Sequence, residues 1–67
     1  MKLIYDKEAD AAYLKVSTSV IKRSVPIGDE TIIDVDAQGS IVGVEFLNVK
    51  TRKGNAQFLE LCSEKLL

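Results

Sequence analysis

Between residues 2 and 49 the chain is cut into five short β-forming runs by turn signals at near-regular intervals. This punctuation limits the fold more than any single residue does, because runs of that length suit strands and are short for helices. The runs cover residues 2–5, 11–17, 20–27, 31–36 and 41–49 and are rich in Ile, Val, Leu, Tyr and Thr. Such side chains suit a pleated, half-buried surface. After Gly54 the composition changes to helix formers. A block of strands followed by one helix predicts an α+β plan, not alternating βαβ units.

The first run is followed by Asp6, Lys7, Glu8, Ala9 and Asp10, which collect turn and cap residues, with Asp6 able to accept backbone N–H bonds from the next turn. Residues 11–17 carry two signals. Helix propensity runs through Glu8, Ala9, Ala11, Ala12 and Leu14, whereas alternation puts Ala12, Leu14 and Val16 on one face and Tyr13 and Lys15 on the other. The alternation predicts a strand. In residues 20–27, Ile21, Val25 and Ile27 share a face on which Arg23 also falls, placing Arg23 near an end or an edge. Pro26 cannot donate to a ladder, so this strand lies at an edge there or ends there. Residues 31–36 and 41–49 form the strongest hairpin signal, joined by Asp36-Ala37-Gln38-Gly39-Ser40. That loop fits a type I turn closed by a left-handed glycine and a bulge. Gly43 weakens the return strand and marks a bulge or a close approach by another backbone.

Residues 50–54 read as a basic loop, and Asn55 caps a helix over residues 55–67. On that helix Phe58, Leu59, Leu61, Cys62 and Leu66 share an apolar face that would pack on the sheet. The expectation is a single small domain, residues 1–67: an antiparallel meander of about five short strands with one C-terminal helix. A chain of this size hides only about 60% of its unfolded surface, so a second protein surface, most simply a homodimer, is expected to contribute to stability. Ten acidic against nine basic residues leave no strong net field towards nucleic acid or a membrane. One cysteine excludes an internal disulfide framework, and no apolar run reaches the roughly 20 residues of a membrane span. These features point to the cytoplasm.

Candidate chemistry is sparse. From Asp34, acids stand at positions one and three, glycine at six, an aliphatic at eight and Glu45 at twelve, the spacing of an EF-hand calcium loop. A calcium-binding loop of that kind has helices on both sides, whereas Thr31-Ile32-Ile33 and Val44-Glu45-Phe46 are β-formers. A strand would carry Glu45 about 10 Å from the turn. A divalent-metal hairpin is therefore the alternative, and a plain turn the main reading. Asp6, Glu8 and Asp10 read as a capped turn with solvated acids. Cys62 stands without any histidine to activate it and reads as a small buried hydrophobe. With no histidine, no triad and no phosphate-cradling glycine loop, no enzyme and no cofactor are expected. Charge placement says more. No Lys or Arg lies between Arg23 and Lys50, which makes the hairpin acidic and offers Asp34, Asp36 and Glu45 as a surface for a basic partner. Lys50, Arg52 and Lys53 offer a weaker alternative, a contact with nucleic acid, but no stacking aromatic stands beside them.

Tyr5-Asp6-x-x-Ala9-Asp10-x-x-Tyr13-Leu14, followed by Ile33-Asp34-x-Asp36-x-x-Gly39-x-x-x-Gly43-x-Glu45-Phe46, resembles the bacterial domain-of-unknown-function family number 2283. The shared pattern covers about residues 2–49, with Tyr5, Asp6, Asp10, Tyr13, Gly39 and Gly43 at its turns and close approaches. Lys7 stands where the family often has proline, and the segment from Lys50 onward lies outside the pattern. The resemblance implies a compact, sheet-rich domain without an established activity. It also implies an antitoxin-like role, since some members are encoded beside small toxin-like proteins.

Overall fold

The structure, a computed structural model, describes residues 1–51. Five strands appear: β1 (Lys2–Asp6), β2 (Ala11–Lys15), β3 (Arg23–Ile27), β4 (Thr31–Val35) and β5 (Ile41–Phe46). All neighbours are antiparallel, and the spatial order is β1-β2-β5-β4-β3. The expected α+β class is overturned: the described residues form an all-β sheet with no helix. The expected helix over residues 55–67, and Arg52 and Lys53 of the basic loop, lie outside the described residues.

The meander is corrected as well. β2 pairs with β5 and not with β3. A plain meander would have placed β3 in the middle of the sheet, where the missing N–H of Pro26 would leave a ladder acceptor without its donor. The observed order puts β3 at the edge. The Leu47 N–H donates to the Glu30 carbonyl at 2.8 Å, which fixes the alternation along β4 and leaves Pro26, opposite Ile32, with its nitrogen turned outward. The connection from β2 to β3, residues 16–22, must then pass the ends of β5 and β4. Three strand spacings are about 14 Å, and seven extended residues reach about 23 Å. The Val42 carbonyl ties the start of this crossing, accepting from the Val16 and Ser17 N–H groups at 2.8 and 3.1 Å. The Val35 carbonyl ties its end, accepting from the Lys22 N–H at 2.7 Å.

The predicted β4–β5 turn is present in detail. The Gly39 N–H donates to the Asp36 carbonyl, the Asp36 N–H donates to the Ser40 carbonyl, and Gly39 has φ +82°. The ladder slips by one residue between Asp34, opposite Gly43, and Val35, opposite Ile41. That bulge falls at Val42, which is buried, 3% exposed.

Alternation divides the sheet into two faces. Leu3, Tyr5, Ala12, Leu14, Val25, Ile33, Val44 and Phe46 share the apolar face. Beyond β5 the chain folds back onto it: Val49 is fully buried against Ala12, with Leu3, Tyr5 and Phe46 around the pair. Lys2, Ile4, Asp6, Tyr13, Lys15, Gly43, Glu45, Ile32, Asp34 and Ser24 share the opposite, more polar face.

Gly43 is explained by that second face. The approach there is made by the Tyr13 side chain and not by another backbone: a Cβ on Gly43 would collide with the Tyr13 hydroxyl and ring. Gly43→Ala is therefore expected to cost about 1–3 kcal/mol, measured by denaturant unfolding, with much of that loss absent in a Tyr13→Ala background. Gly39→Ala, which meets open space but keeps a positive φ, should cost about 1 kcal/mol with no coupling to Tyr13.

Candidate protein-binding face

Tyr13 sits in the middle of β2 with Ile4 opposite it on β1 and Glu45 opposite it on β5. Its ring crosses Gly43 to reach β4, where the hydroxyl donates to Asp34 Oδ2 at 2.8 Å. The other oxygen of the same carboxylate, Asp34 Oδ1, accepts from the Ser24 hydroxyl of β3 at 2.6 Å. A single polar chain, Tyr13–Asp34–Ser24, thus ties side chains from β2, β4 and β3 across the face, passing over β5. Ser24 carried no signal in the sequence, because its role depends on β3 lying next to β4 in a fixed register.

Glu45 is diagonal to Asp34 across the β4–β5 pair and half-buried. Burial first, then the hydrogen bond to Asp34, then the negative charges of Asp34 and Glu45 push the Tyr13 hydroxyl above its ordinary pKa. Each effect penalises the phenolate.

The third predicted acid does other work. Asp36 Oδ1 accepts from the Gln38 and Ser40 N–H groups at 3.0 and 2.9 Å, closing the turn. The calcium geometry does not form: Asp34 is engaged by Tyr13 and Ser24, Asp36 by its turn, and Glu45 stands in the strand opposite Ile32 and Tyr13. Among the described residues no three His, Cys, Asp or Glu side chains are placed to hold a metal ion.

The remaining pattern residues build the β1–β2 end. Asp6 Oδ1 accepts from the Glu8 and Ala9 N–H groups at 3.0 and 3.2 Å, the predicted cap. Asp10 has φ +52°, a left-handed conformation that aspartate tolerates better than most residues. Its carboxylate accepts from the Tyr5 hydroxyl at 3.0 Å and from the Lys50 N–H at 3.2 Å, while its carbonyl accepts from the Val49 N–H at 3.1 Å. Asp10 thereby clamps the chain beyond β5 against the first turn. Lys50, the described member of the basic set, starts from that acidic clamp.

A small antiparallel sheet with these two tied ends defines a compact all-β domain. A family model matches residues 2–50 and is described as a protein of unknown function (DUF2283); the chain belongs to that family. The comparison with curated proteins and the comparison with solved structures each found no match. No helix among the described residues is long and apolar enough to cross a membrane.

The raised Tyr13 pKa has a direct consequence for stability. The folded state holds the phenolic proton more tightly than the unfolded chain, so this contribution is fully present below the ordinary tyrosine range and is lost as pH rises through the folded value. Chemical denaturation from pH 8 to 12 should show a decline starting near pH 10. Asp34→Asn should bring the Tyr13 titration, followed by ultraviolet absorbance, back towards the ordinary value.

Proposed function

We propose that the domain is a protein-binding module with no catalytic chemistry of its own, and that its polar face takes a basic partner. An antitoxin-like protein would take a small basic toxin in this way. The observation that supports this most is the placing of Asp34 on β4 and Glu45 on the central strand β5, diagonal to each other and near enough to Tyr13 that both charges act on its hydroxyl. The hydrogen bonds to Asp34 orient its carboxylate, so the sheet presents one oriented carboxylate, with Glu45 diagonal to it, beside an aromatic ring, while Lys2 and Lys15 lie on the same face. Such preorganisation of Asp34 lowers the cost of ordering on binding, and the two carboxylates together steer an oppositely charged partner. Asp36 contributes charge at the margin, with one oxygen committed to its turn.

Nothing in the geometry favours the metal hairpin. The nucleic-acid reading gains no support either, since Arg52 and Lys53 lie outside the described residues.

Affinity capture from the native cell at low salt, followed by titration of the purified captured protein, tests the reading. A basic protein of similar size should bind, with affinity falling steeply as salt rises. Glu45→Gln should weaken binding by about tenfold, roughly 1.4 kcal/mol, without changing the unfolding midpoint by more than a small amount. Retention of no basic protein, or equal binding by Glu45→Gln, would contradict it.

A further inference from the structure

The geometry points to β1 as a self-association edge: two copies pair antiparallel through this strand about a two-fold axis at Ile4, joining two five-stranded sheets into one of ten. Among the described residues the sheet ends in two edge strands, β1 and β3, and they are unlike. β3 is interrupted by Pro26, whose nitrogen faces outward where a neighbouring strand would need a donor. β1 carries no proline and no bulge along Lys2–Asp6.

Backbone direction along β1 follows from the printed bonds. The Val16 N–H donates to the Val42 carbonyl, which fixes Ala12 and Leu14 as the β2 residues facing β5. Ala11, Tyr13 and Lys15 then face β1, so Lys2, Ile4 and Asp6 face inward and the Leu3 N–H and C=O point away from the sheet.

The sequence of this strand is complementary to itself when reversed. With Ile4 opposite Ile4 of a second copy, Lys2 falls opposite Asp6 and Asp6 opposite Lys2, and opposite charges directly across an antiparallel pair are favourable. In the same register Leu3 meets Tyr5, which continues the apolar face without a break. Ile4 is 44% exposed on the polar face although it is a large aliphatic side chain, and the axis would place it against its own copy. A shift of one residue either way loses both charge pairs. Because cross-strand neighbours share a face, the Asp34 and Glu45 surfaces of the two copies would lie on the same side of the joined sheet, leaving the proposed partner-binding face open.

Sedimentation velocity from micromolar to millimolar protein, together with a cysteine scan, tests this. Wild-type protein should show a concentration-dependent dimer. Lys2→Glu, which opposes two acids across each end of the seam, should raise the dissociation constant at least tenfold, and Asp6→Asn, which keeps an oxygen for the turn, should raise it less. In a Cys62→Ser background, Ile4→Cys should form a disulfide-linked dimer readily under mild oxidation and Ser24→Cys on the opposite edge should not. A wild-type chain that stays monomeric at millimolar concentration would overturn the proposal. So would a dimer that is indifferent to Lys2→Glu and not trapped by Ile4→Cys, since its interface would then lie elsewhere. Capture of a basic partner is read separately with Glu45→Gln, so failure of either reading leaves the other standing.

Discussion

The Tyr13 ring lying across Gly43, with its hydroxyl on Asp34, is the contact on which the arrangement of the sheet depends. β5 sits between β2 and β4, and only a residue without a side chain at position 43 lets an aromatic ring pass over it from one neighbour to the other. The ring covers the glycine, and Asp34 fixes the hydroxyl while taking a second bond from Ser24 on the edge strand. The contact also joins the two halves of the family pattern, since Tyr13 belongs to the first and Asp34 and Gly43 to the second. A satisfied polar chain on a thin sheet specifies register, because moving β5 by one residue would turn Gly43 to the other face.

Just before β2, Asp10 performs the corresponding task on the chain beyond β5. It holds a left-handed conformation and accepts from Tyr5, Val49 and Lys50, so that Val49 can be buried on Ala12. Among the described residues the four hydrophobic side chains buried most deeply, Ala12, Val35, Val42 and Val49, are small. A sheet with so modest a core relies on these two tied ends to hold its strand order, and on local turn bonds at Asp6 and Asp36 to hold its hairpins.

Much of the local structure was legible in the sequence because its causes are local. β-forming runs, the turn signals between them and, for the second and third runs, alternation placed the five strands; Asp6 and Asp36 announced their turns, and Gly39 announced the left-handed position that closes the hairpin. The order of the strands was not legible from adjacent pairings, since β2 meets β5 across residues distant in the chain. Pro26 carried the missing information: an edge proline in the third strand is incompatible with a five-stranded meander, in which that strand is central. Gly43 was correctly marked as a place of close approach, but the approaching group is a side chain. The acids divide in a way that spacing could not reveal, with Asp34 and Asp36 bonded within the fold and Glu45 set on the polar face. Asp10 gave no sign of its clamp because its Lys50 partner lies 40 residues away.

The most direct test is proton NMR of the Tyr13–Gly43 contact. If the ring lies over the glycine, the Gly43 Hα resonances will be shifted strongly upfield by the ring current and will show nuclear Overhauser effects to the Tyr13 ring protons, both lost in Tyr13→Leu. Gly43 Hα resonances at ordinary glycine positions, without contacts to Tyr13, would contradict the account.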